Sequence, residues 1–191
     1  SFMGKPLIAD MPDGVCRPAG THYMQLITSG PTSHWSNIAM VYIEAIGKAV
    51  ERVYIQTPYF LPTDSLLRVL QAAALSKVDV RIMVPEKSDS RILTLASASY
   101  IEECLRAGIK FYLYKPGMLH AKTVVIDSDI VSVGSTNFDF RSFEHNFESN
   151  VFIYSAEVNA RMAAVFLDDM SMCRRVNPGE WKRRPRVQKA K

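Results

Sequence analysis

Residues 119–142, LHAKTVVIDSDIVSVGSTNFDFRS, carry a histidine, a lysine, a serine and an asparagine inside an otherwise apolar stretch. Their spacing is His120-x-Lys122-x4-Asp127-x6-Gly134-Ser135-x-Asn137. The run reads as a buried hairpin with arms at about 119–126 and 130–133, turning at Asp127-Ser128-Asp129. Side chains alternate along a strand, so His120 and Lys122 share one face while Leu119, Ala121, Thr123 and Val125 take the other. An imidazole and an ammonium adjacent on an interior strand repel when both are charged. Burying them is costly unless an anion or acceptor groups meet them. The return arm ends at Gly134, which permits close backbone approach, and then offers the Ser135 hydroxyl and the Asn137 amide. Such donors converging on one point suit the oxygens of a phosphate. Asp127 has the opposite parity and falls in the turn, where an aspartate accepts from turn amides.

Other candidates carry less. His145 reads as a surface residue or a neighbour of the site, and His22 and His34 have no evident partner. Arg141 follows Asn137 closely enough to touch a phosphate, and an ion pair with Asp139 or Glu144 accounts for it equally. Thr57-Pro58-Tyr59-Phe60 is either a pocket wall or a strand terminator. Cys16, Cys104 and Cys173 lie far apart, with no CxxC and no histidine at ligand spacing. That sparse, odd set implies reduced thiols in a cytosolic setting and no structural zinc. Cys104 falls in a helical pattern as core.

The elements that must position the hairpin alternate in type. Strands are expected at 22–28, 52–57, 78–84, 109–114 and 149–154. Helices are expected at 34–50, from Thr63 or Asp64, from about Asp89 to Arg106, and after Ser155 as cap. Strands alternating with helices early, then hairpin strands late, predict an α/β fold. The sheet is expected to be mixed, largely parallel, and flanked by helices on both faces.

At 191 residues and 48% hydrophobic, the chain suits one domain. No apolar run is long enough to span a bilayer and no signal peptide opens the chain, so a soluble fragment is expected. Ser1-Phe2-Met3-Gly4 reads as a cloning seam ahead of the middle of a longer protein. The expected division is a lead-in at 1–20, a catalytic domain at 21–176 and a basic tail at 177–191. From Arg174 onward eight basic residues face one acid, Glu180, so this segment is +7 and the remainder of a +4 chain is −3. The tail reads as an unpacked terminus, or as a segment drawn to anionic phosphates on a membrane or nucleic acid.

The six fixed hairpin positions match the HKD signature of the phospholipase D superfamily. By average residue usage such a match arises on the order of once in 10⁸ starting positions. The flanks YIQTPYFLPTDSLLRVLQ, LRAGIKFYLYKPGMLHAK and STNFDFRSFEHNFESNVFIY resemble the C-terminal half of bacterial cardiolipin synthases, over roughly residues 22–175. The resemblance implies His120 as nucleophile or general acid, roles an imidazole fills near neutrality. It implies Lys122, Ser135 and Asn137 as holders of the non-bridging oxygens, with no metal or cofactor. Glu148 aligns with a carboxylate that orients the imidazole; its other reading is an exposed strand-edge charge. Asp127 joins the catalytic set as the third motif letter, in a more structural than proton-carrying role.

The implied reaction passes a phosphatidyl group from one phosphatidylglycerol to the histidine and on to a second, giving cardiolipin and glycerol. Such enzymes carry one HKD motif in each half, behind N-terminal membrane-spanning helices, whereas this chain has one His-x-Lys motif. The implied partners are therefore an anionic membrane surface and either a missing N-terminal half or a second copy of the chain. The implied location is the cytoplasmic side of the bacterial inner membrane. Two other readings stand beside this one. One is a homodimeric single-motif phosphodiesterase or nuclease, with nucleic acid as partner. The other is a non-catalytic module binding anionic lipid or nucleic acid.

Overall fold

The central strands are apolar on both faces, which requires a covering layer on each side. A computed structural model of the chain describes residues 20–89 and 91–184. The expected lead-in up to residue 19, Cys16, and the tail from residue 185 lie outside the described residues. The first elements are β1 (Tyr23–Ser29), α1 (Asn37–Gly47), β2 (Arg52–Gln56), β3 (Phe60–Leu61), α2 (Asp64–Leu75), β4 (Asp79–Pro85), α3 (Arg91–Arg106) and β5 (Lys110–Tyr114). Next come β6 (Thr123–Ile126), β7 (Ile130–Gly134), β8 (Phe138–Asp139), α4 (Phe140–Glu144), β9 (Glu148–Tyr154) and α5 (Ala156–Ser171). The described chain closes with β10 (Cys173–Arg175) and α6 (Pro178–Lys182).

Eight strands form one sheet in the order β1-β9-β7-β6-β2-β4-β5-β10, and β3 pairs with β8 separately. Alternation along the strands sorts side chains into two cores. Val53 and Ile55, Val80 and Ile82, Phe111 and Leu113 meet α1, α2 and α3 on one face. Tyr54, Met83, Tyr112 and Val125 meet α5 on the other, where Phe166 stacks on Tyr54 at 4.7 Å between centroids. Asn159, Ala163 and Phe166 recur at helical spacing, which is why one stripe of α5 is buried. Each fully buried Leu, Ile or Phe contributes about 1.5–3 kcal/mol. Helices on both faces and the α/β class are as the sequence predicts.

Three expectations need correction. The sheet is mixed but not largely parallel, since only β2–β4 and β4–β5 pair in parallel. Parallel neighbours need a crossover, and α2 and α3 supply one each. The β6–β7 hairpin and the closure of β1 onto β9 produce antiparallel pairs instead. Second, the strand at the motif begins at Thr123, so His120 and Lys122 stand on its approach. Third, the basic segment is packed as far as Arg184. β10 pairs with β5, Asn177 caps α6, and Trp181 Nε1 donates to the Ala98 carbonyl at 3.2 Å. Arg184 bonds Glu102 at 2.9 Å. An indole laid against α3 offsets the entropy of ordering a charged segment.

Candidate active site

Strand register brings the chemistry to one rim of the sheet. Gln56 pairs with Thr123, Thr123 with Val133, and Gly134 with Asn150. The residues at and beyond those pairs, His120, Lys122, Ser135, Asn137 and Glu148, therefore gather at the same end. The cost of burying a histidine and a lysine is avoided because His120 is exposed and Lys122 only half-buried. The predicted parity holds, with Leu119 and Ala121 packed in the α5 core.

Lys122 Nζ donates to the His120 carbonyl at 2.9 Å and lies 3.2 and 3.3 Å from the two ring nitrogens. Burial pushes the Lys122 ammonium below the ordinary lysine range, while the charges of Glu148 and Asp139 pull it back up. An ammonium already partly stripped of water loses less hydration when it meets an anion.

Across the rim, Ser135 is fixed by β9. Its hydroxyl donates to Glu148 Oε2 and accepts from Ser149 N at 3.0 Å, and Ser135 N donates to Ser149 O at 3.0 Å. Asn146 Nδ2 donates to the second Glu148 oxygen at 3.2 Å. The resemblance assigns Glu148 to the imidazole, whereas these hydrogen bonds run to Ser135 and Asn146. A Cβ at Gly134 would collide with Ser149 O and Asn150 Oδ1, which explains glycine there. Asn137 is half-buried, and its Oδ1 is buried with no partner among the described residues. Half a turn of that amide presents its NH₂ in the same place. A recess of about 410 Å³ lined by Thr28, Ser29, Ser33 and Phe147 opens beside Ser135 and Glu148.

Asp127 stands apart from this group. It sits at the far end of β6 at φ 47°, and its carboxylate accepts from Val50 N, Glu51 N and Arg52 N at 2.8–3.2 Å. Six residues lie between it and His120, four of them the whole of β6, a span of up to about 23 Å at strand rise. Its hydrogen bonds make it a clamp that joins the α1–β2 loop and the start of β2 to the end of β6. His145 caps α4 at the surface. Asp139 caps α4 through Ser142 N at 2.7 Å instead of serving Arg141. Cys104 is buried, and burial pushes its thiol up to about 12, as expected of plain core.

Sequence reasoning left the role of Thr57 open. Its hydroxyl accepts from Phe138 N at 3.0 Å and donates to Tyr59 O at 2.8 Å, while Phe60 pairs with Phe138. The segment after β2 thus braces the loop that carries Asn137. The signal for it was an interior-type strand ending in Thr-Pro, with a second short apolar pair just beyond. Among the described residues, no group of three or more His, Cys, Asp or Glu is placed to hold a metal ion. Nor is any described helix long and apolar enough to cross a membrane.

A family model for "Cardiolipin synthase, PLD-like domain" matches residues 42–170. The major cardiolipin synthase ClsA of Bacillus subtilis is 44% identical over 168 residues, covering 88% of this chain and 35% of that protein. A cardiolipin synthase of Clostridium perfringens is 44% identical over 160 residues, covering 84% of this chain and 34% of that protein. The chain thus spans about a third of the length of these relatives. Among solved structures, the phospholipase D family member Nuc of Salmonella typhimurium superposes with a TM-score of 0.71 at 21% identity. That match covers 82% of this chain and 99% of Nuc. Phosphatidylserine synthase of Haemophilus influenzae gives 0.70 at 15% identity, covering 87% of this chain and 44% of that one. At such identities the structures show a shared fold alone.

Proposed function

The chain belongs to the family of cardiolipin synthase phospholipase D-like domains, and on that premise we propose that it is one catalytic half of a phosphatidyltransferase. The observation that carries the reading is the gathering of His120, Lys122, Ser135 and Asn137 at one rim of the sheet. A His120 ring nitrogen attacks the phosphorus of phosphatidylglycerol, a P–N bond forms, and the P–O bond to the glycerol headgroup breaks. The departing alkoxide takes its proton from a second acid in line on the opposite side. The hydroxyl of a second phosphatidylglycerol then attacks phosphorus, its proton passes to that same group, and the P–N bond breaks to free His120. Lys122, Ser135 and Asn137 hold the non-bridging oxygens throughout. Glu148 keeps Ser135 in place and sustains the charge on Lys122.

One imidazole cannot stand on both sides of phosphorus in one step, so the second acid comes from outside this chain. A companion half carrying its own His-x-Lys motif fits a chain that spans a third of its relatives. The working surface is then anionic membrane, on the cytoplasmic side of the bacterial inner membrane.

The test uses the full-length protein with labelled phosphatidylglycerol. Cardiolipin and glycerol form in equal amounts, and acid-labile label is trapped on His120. Product formation from the monomeric 191-residue chain alone would overturn the half-site reading.

A further inference from the structure

We propose that Asn150, acting through Thr136, is the positioning residue that aims Ser135 and Asn137 at the phosphate. The inference rests on the phosphate-binding role proposed for that rim. Ser135 and Asn137 flank Thr136 in the short segment between β7 and β8, with Ser135 at a bend. Ser135 is exposed and Asn137 half-buried, whereas Thr136 is 4% exposed. Whatever grips Thr136 from behind therefore sets the direction of both its neighbours.

Asn150 supplies that grip. Its Oδ1 accepts from Thr136 Oγ1 at 2.6 Å and from Thr136 N at 3.3 Å. A backbone N–H only donates, so this pair of contacts fixes which end of the amide is oxygen. The Nδ2 end donates to Tyr42 OH at 2.8 Å and to Ser132 Oγ at 3.0 Å. Those two hydroxyls are 2.9 Å apart and close the triangle. Every donor and acceptor position of the amide is thus used, and Asn150, Ser132 and Tyr42 are each no more than 2% exposed. Burial pushes the Tyr42 phenol up to about 12, so it stays a neutral donor and acceptor across the working pH range.

A fully satisfied buried network has one low-energy arrangement, and a half-satisfied one is costly. Gly134 belongs to the same design, since the Asn150 oxygen lies where a Cβ would stand. Two residues before Asn150, on the same face of β9, Glu148 bonds Ser135. One strand therefore holds the loop at two successive points, one in the core and one at the rim.

The test measures binding of inorganic phosphate to the 191-residue chain, followed through the His120 ring signals, with folding checked by urea unfolding. Thr136→Val keeps volume and branching and removes only the hydroxyl. It is expected to weaken phosphate binding about tenfold, the effect of one net hydrogen bond lost from site geometry. Thr136→Ser restores affinity to within about threefold of the parent by returning the donor. A merely structural role lowers the urea midpoint and leaves the affinity of the folded protein unchanged, which overturns the inference. If Thr136→Val does not fold, Tyr42→Phe applies the same test from the far side of the amide. Its expected loss is about threefold, and unchanged affinity again overturns the inference. Absence of saturable phosphate binding by the parent chain instead refutes the phosphate site itself.

Discussion

Replacing Asp127 by alanine separates the clamp from a catalytic reading of the third motif letter. The substitution removes an acceptor from three backbone amides, Val50, Glu51 and Arg52. The first two are solvent-exposed, so water takes over part of the bonding, and each loss costs about 1 kcal/mol. The Arg52 amide is half-buried and its charge-assisted bond is worth about 1.5 kcal/mol. Alanine at φ 47° adds about 1 kcal/mol of left-handed strain that aspartate and asparagine tolerate better. The sum is about 4.5 kcal/mol, or roughly 9–18 °C in Tm for a domain of this size. Asp127→Asn keeps an acceptor oxygen and suits the same backbone, so it costs about 1 kcal/mol. Urea and thermal unfolding of the three proteins measure these differences, alongside phosphate binding by the folded fraction. Stability within about 0.5 kcal/mol of the parent in Asp127→Ala, with phosphate binding lost, would return Asp127 to the catalytic set and refute the clamp.

Three further outcomes are expected. His120→Ala in the full-length protein lowers turnover by more than about 10⁴-fold, beyond acid–base assistance alone, and leaves stability within about 0.5 kcal/mol because the ring is exposed; a tenfold loss contradicts it. Lys122 is held below the ordinary lysine value of 10.5, so its charge, and with it phosphate affinity, declines at lower pH than for a free lysine. In that window the unfolded chain binds the proton more tightly, so the Lys122 contribution to stability rises with pH. Glu148→Gln removes one charge that holds the ammonium up and moves the decline to still lower pH, which a phosphate titration at several pH values reads directly. Finally, Trp181→Ala lowers stability by about 2 kcal/mol, since the indole is half-buried against α3; a change below 0.5 kcal/mol contradicts the packed terminus.

The positions easiest to read in the sequence were those with local patterns. Ser155 caps α5 as its side-chain type predicts, and β2, β4 and β5 follow from apolar runs closed by proline or glycine. The His120-x-Lys122 spacing, with Ser135 and Asn137 beyond the return arm, placed these four residues at one end of a hairpin. Pairings between distant segments were not legible. Phe60–Leu61 and Phe138–Asp139 form a parallel pair of only two residues each, too short for any periodicity to register. Of the five antiparallel pairs in the large sheet, β1 with β9 joins the segments farthest apart in sequence, a pairing that composition does not encode. Thr136 and Asn150 read as ordinary polar residues on strand flanks, because their importance lies in a contact between two strands. Trp181 among many charges was dominated by the composition around it.

The pairing of β1 with β9 also bears on the order of events during synthesis. Ser29 meets Glu148 and Tyr23 meets Tyr154, so the first strand of the sheet waits for one of the last. At a ribosomal pace of 5–20 residues per second, that wait is roughly 6–25 s. During it, β1 lacks its one ladder partner, and Tyr23, Met24 and Leu26 stay exposed even after docking because β1 is an edge strand of the folded sheet. Thr28 and Ser29, which wall the recess beside Ser135 and Glu148, reach their places only when that strand docks. The rim is therefore finished late, after β9 has left the exit tunnel. Crowded translation exposes this closure, more than the hairpin carrying His120, to capture by a neighbouring chain.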